Sequence, residues 1–61
     1  MFVNRIELKA QLVRNNMTST DLANYLGIKK QSLSLRMQEK IEFRESEIAK
    51  LKDKFGDVIF F

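Results

Sequence analysis

The chain has 61 residues, 44% of them hydrophobic, with a net charge of +3, no Cys and no His, and a pI near 9.5. These figures exclude a disulfide framework and a Cys-based zinc site, and they remove the commonest metal ligand and the commonest general base. A domain this short buries only about 60% of its unfolded surface, so it depends on tight helical packing or on a partner.

No apolar run approaches the roughly 20 residues of a membrane span. The opening MFVNRIELKA is interrupted by charge too early for a secretory signal. A cytoplasmic protein is therefore the expectation. The charge is unevenly spread: residues 1–44 hold eight Lys/Arg against four Asp/Glu, and residues 45–61 three against four. Pro is absent and Gly occurs twice, at 27 and 56, which reads as one all-α domain over residues 1–61, without repeats or linker.

Met1 to Val3 forms an apolar lead-in. Asn4 with Glu7 three residues on has the spacing of a capping box and opens a first helix that runs to about Asn15. Leu8 and Leu12 share its buried face, with Ile6 or Val13 flanking it. Asn15-Asn16 ends it, because Asn tolerates the left-handed conformation of a helix C-terminus.

Thr18 and Asp21 form a second box, with Met17 placed to staple onto Leu22. The second helix carries Leu22, Ala23 and Leu26 on one face. Gly27 can end it in the left-handed conformation at no Cβ cost. The third helix opens near Lys29 and buries Leu33 and Met37. Its other face carries Gln31, Ser34, Leu35 and Gln38, at i, i+3, i+4 and i+7. Two helices joined by so short a turn must cross steeply, the geometry of a helix-turn-helix over about residues 18–38.

The run Leu22-Ala23-x-x-Leu26-Gly27-Ile28-x-x-Gln31-Ser32-Leu33-Ser34, followed by Glu42-Phe43-x-x-Ser46-Glu47-Ile48, resembles the lambdoid phage repressor and Cro family, also called the XRE family. The likeness covers roughly residues 8–52. It implies a lambda repressor-like bundle of four to five short helices. It also implies a Cro-like phage regulator in a bacterial host, bound to operator DNA at the nucleoid as a two-fold homodimer, with the third helix in the major groove.

Carried onto this chain, Lys30, Gln31, Ser34 and Leu35 would face bases, while Thr18, Ser19, Lys29, Lys40 and Arg44 would meet phosphates. Gln can bond adenine bidentately and an apolar side chain can meet a thymine methyl. The backbone N–H groups at the start of the second helix would suit a phosphate. No cofactor, metal, small-molecule substrate or catalytic residue is implied.

The residues also depart from the family. Relatives commonly place Ser or Thr at the position of Lys29. Lys29 and Lys30 instead put two cations at a helix N-terminus, where the macrodipole disfavours each by about 0.3–1 kcal/mol. Stability alone would avoid that pair, and contact with phosphates or guanine edges would not. Several relatives carry a buried Arg–Glu pair where this chain has Leu12 and Met37, so an apolar contact is expected in its place. Relatives often have Asn-Gly after the third helix, and Glu39-Lys40-Ile41-Glu42 has neither. Arg44 takes an N-cap place before a fourth helix, with Glu47 three residues later. Phe43, just before that cap, reads as buried, Ile48, Leu51 and Phe55 as the buried stripe of the fourth helix, and Gly56 as its end.

The last five residues, Asp57-Val58-Ile59-Phe60-Phe61, place four bulky apolar side chains in a row. Two readings of Val58, Ile59, Phe60 and Phe61 stand: they fold back to cap the core, or they form a dimer contact. A rival to DNA binding is a protein-binding module, such as an antirepressor or phage accessory factor. No nucleophile with its base and no phosphate loop suggests an enzyme, and Glu39 and Glu42 read as surface charge.

Overall fold

A computed structural model describes residues 2–61; Met1, part of the expected apolar lead-in, lies outside them. Four α-helices follow one another: α1 (Arg5–Arg14), α2 (Ser19–Leu26), α3 (Lys30–Met37) and α4 (Glu45–Phe55). A single 3₁₀ turn, Asp57–Ile59, comes last. Among the described residues, no helix is long and apolar enough to cross a membrane.

The helix ends are built from local chemistry. Asn4 Oδ1 accepts the Glu7 N–H at 3.1 Å and caps α1. The Thr18 hydroxyl accepts the Asp21 N–H, and the Asp21 carboxylate accepts the Thr18 N–H at 2.9 Å, a complete capping box on α2. Each of α1, α2 and α3 ends in the same way. One residue turns left-handed (Asn16, Gly27, Glu39), and the next N–H reaches back to close the last turn: Met17 to the Leu12 carbonyl, Ile28 to Ala23, Lys40 to Leu35. Asn and Gly accept this conformation readily. Glu39, at φ 63°, does so only under constraint from its surroundings.

The core gathers Leu8 and Leu12 of α1, Leu22, Ala23 and Leu26 of α2, Leu33 of α3, Leu51 of α4, and the loop residues Val3, Phe43 and Ile59. Val3 and Leu8 stand on either side of the α1 cap as a hydrophobic staple. Ile6 and Val13 do not flank this core. They lie on the opposite side of α1, 84% and 80% exposed. Ile48 and Phe55 are half-buried, and Leu51 alone is the fully buried apolar residue of α4. The Tyr25 hydroxyl donates to the Lys50 carbonyl at 3.0 Å and ties α2 to α4.

Met37 packs against the core that holds Leu12, in line with an apolar contact between α1 and α3, but the chain keeps a buried ion pair elsewhere, between α3 and α4. Met37 is only half-buried, and the deep polar position on α3 belongs to Arg36. Its Nε donates to Glu47 Oε1 at 2.8 Å and its Nη1 to the Ser32 carbonyl at 2.9 Å. Glu47 Oε1 also accepts the Arg44 N–H at 2.9 Å, so one carboxylate caps α4 and pairs with α3. The Arg44 side chain, all donors, adds nothing to that cap. Arg5 Nε donates to the Arg36 carbonyl at 2.7 Å, which brings the start of α1 to the end of α3. Among the described residues, no buried side-chain polar atom is left without a partner.

The apolar tail closes the fold. Ile59 is fully buried, Phe60 half-buried, and Val58 and Phe61 exposed. Val3 and Phe60 form an antiparallel bridge, flanked by hydrogen bonds from the Asn4 N–H to the Ile59 carbonyl and from the Phe61 N–H to the Phe2 carbonyl. Gly56 makes the turn into this tail at φ 78°, ψ −164°, a region essentially reserved for glycine.

Two stability outcomes follow. Glu47→Ala strands the Arg36 guanidinium and should cost about 3–5 kcal/mol. A domain of this length has roughly 3–9 kcal/mol in total. Thermal denaturation should show that loss, and Arg36→Met with Glu47→Leu should recover most of it. Truncation after Asp57 removes Ile59 and the terminal bridge. It should lower stability by about 2–5 kcal/mol in the same assay.

Candidate nucleic-acid interface

The core of α3 is set by Leu33 and Arg36, three residues apart. Helical periodicity therefore turns Gln31, Ser34, Leu35 and Gln38 to the opposite side. All four are exposed, Leu35 at 37%. Gln38 Nε2 donates to the Ser34 hydroxyl at 2.9 Å, so two of these polar groups are already held in relation to each other. The N-terminus of the same helix is bare. Lys29 occupies the cap position without any side-chain capping bond, and no acidic residue lies in the first turn. Lys29 and Lys30 are both exposed there.

A groove of about 340 Å³ runs between α1, α2 and α3. Its floor is Leu12, Leu22, Leu33 and Met37, and its polar rim is Lys9, Ser19, Lys30, Ser34 and Gln38. Three of the residues expected from sequence to touch DNA, Ser19, Lys30 and Ser34, thus meet around one concavity. Lys29, Gln31 and Leu35 are exposed on or beside α3 without lining it. Lys40 and Arg44 stand apart: Lys40 follows the left-handed end of α3, and Arg44 is the exposed residue that precedes α4.

Thr18 is exposed too, but its hydroxyl and N–H are committed to Asp21. The Asp21 carboxylate sits where an anion would dock on α2, so the free N–H groups there belong to Ser19 and its neighbour. Hydrogen bonds from the Thr18 N–H and hydroxyl hold the Asp21 carboxyl below its ordinary 3.8.

Lys9 is the groove residue that sequence reading missed. It sits one position after Leu8 on α1, and only the packing of α1 against α2 and α3 turns that flank toward Ser19 and Lys30. The burial of Arg36 against Glu47 removes this cation from any surface role. Comparison with protein-family models, with curated proteins and with solved structures returns no match to this chain.

The Asp21 box has a testable pH signature. Its lowered folded-state pKa adds stability that is present above the ordinary carboxylate value and lost as pH falls through the lowered one. Melting curves at decreasing pH should show Asp21→Asn less sensitive to acid below about pH 4 than the parent.

Proposed function

We propose that this chain is a sequence-specific DNA-binding regulator of the Cro-like kind, with α2 and α3 as its helix-turn-helix and α3 in the major groove. The observation that carries the reading is the pairing, on one eight-residue helix, of an uncapped N-terminus bearing Lys29 and Lys30 with an outward face of Gln31, Ser34, Leu35 and Gln38. A helix selected for stability would carry an acidic residue or a hydroxyl at that terminus. A helix that approaches a polyanion gains from the cations, and its amide and methyl-bearing side chains suit base edges.

In this reading Lys30, Gln31, Ser34 and Leu35 meet bases. Ser19, Lys29, Lys40 and Arg44 meet phosphates, with Lys9 beside Ser19 and Lys30 on the groove. Thr18 acts as a cap first, and its contact to phosphate is secondary. The two-fold operator of the proposal calls for two recognition helices about 34–36 Å apart, hence two copies of the chain on DNA.

Selection from a random duplex pool identifies the preferred site, and salt titration on it tests the reading. With about four phosphates neutralised per subunit, log K should fall with log salt at a slope of roughly −3 to −4 per subunit. Gln31→Ala should cost about 1–3 kcal/mol at one base position, whereas Lys40→Ala should weaken all sequences alike. Recovery of no preferred sequence, or an affinity indifferent to salt, overturns the proposal.

A further inference from the structure

Four large apolar side chains are conspicuously exposed for so small a chain: Phe2 at 72%, Ile6 at 84%, Val13 at 80% and Phe61 at 81%. Single exposed apolar residues are ordinary. These are grouped. Ile6 and Val13 lie seven residues apart, two turns along one face of α1, with Ala10 between them. Phe2 and Phe61 are held side by side at the N-terminal end of α1 by the hydrogen bond from the Phe61 N–H to the Phe2 carbonyl. The groove and the outward side of α3 include none of these four.

We propose that this face of α1 is a two-fold contact with a second copy of the chain, the two α1 helices running antiparallel about Ala10. The residue pattern is self-complementary in that register. Ile6 lies four before Ala10 and Val13 three after it, so each Ile6 meets the partner's Val13, and the small Ala10 at the centre lets the helices approach closely. The rim obeys the same symmetry. Glu7 lies three before Ala10 and Arg14 four after it, which sets opposite charges facing each other across the two-fold twice. Within one chain these two already pair at 3.2 Å, with the Arg14 side chain 64% exposed and able to turn toward a partner. An isologous interface needs this reciprocity, in which i meets j and j meets i.

The area also fits. Aromatic side chains bury about 150–250 Å² each. Ile6 and Val13, with the aromatic pair beyond the N-terminal end of α1, expose roughly 500 Å² of apolar surface per copy. That is the upper range of apolar patches on monomers and more than half of the about 800 Å² per partner of a standard interface. The inference supplies the homodimer of the proposed DNA reading with a surface, but it stands on exposed residues alone and is tested without DNA.

Sedimentation equilibrium of the full chain should show a concentration-dependent dimer. Ile6→Lys and Val13→Glu should each weaken it on the order of 100-fold by burying an unpaired charge, with circular dichroism unchanged because both positions are exposed. An equimolar mixture of the two variants should re-form a dimer, since Lys at 6 of one copy then faces Glu at 13 of the other while Val13 meets Ile6. A chain that stays monomeric to millimolar concentration overturns the proposal. So does a dimer indifferent to both substitutions, or a mixture that does not recover. A dimer that binds no DNA removes the DNA reading and leaves this contact standing, and a DNA-binding monomer does the reverse.

Discussion

The Arg36–Glu47 pair is the constraint on which the arrangement of helices depends. A guanidinium and a carboxylate buried in a domain this small are tolerable only if their remaining hydrogen-bonding capacity is met. Here Ser32 and Arg44 meet it with backbone groups, and Arg5 takes the carbonyl of Arg36 itself. The network therefore fixes three things together: the end of α3, the start of α4 and the entry to α1. Arg5 Nη1 also reaches the Glu39 carboxylate at 3.3 Å, beside the residue at which α3 ends left-handed.

That network is also the part least visible in the sequence. Caps and stops are local, and Asn4, Asn16, Thr18 with Asp21, Gly27 and Gly56 announce themselves through residue type and three- or four-residue spacing. The apolar face of α2 is equally plain. Arg36 and Glu47 are charged residues eleven apart, on helices joined by a loop without Gly or Asn. A reading that places every charge at the surface has no reason to pair them. Ile6 and Val13 are the opposite case: their apolar character is no sign of burial, because apolar atoms make up much of any protein surface.

The candidate interface was legible in a different way. Once Leu33 is inside, periodicity alone sets Gln31, Ser34, Leu35 and Gln38 outside. The concavity that collects Lys9, Ser19, Lys30 and Ser34 exists only after three helices have packed, so no pattern within one helix could announce it. Stability and the proposed function pull against each other at the start of α3. The lysine pair there faces the positive end of the helix dipole, and the chain offsets that locally unfavourable choice with a complete cap on α2 and a doubly bonded carboxylate at α4.

The bridge between Val3 and Phe60 brings the two ends of the fold to one spot, with Ile59 sealing the core beside them. Phe2 and Phe61 therefore lie side by side at the N-terminal end of α1. The same closeness makes the topology nearly circular. A short linker could join the ends and new ones be opened at the exposed Lys40–Glu42 loop, with every helix still meeting its present neighbours. The order in which elements emerge along the chain would change: the closure between Val3 and Phe60 would become local, while the Arg36–Glu47 pair, now eleven residues apart, would become the contact that closes almost the whole chain.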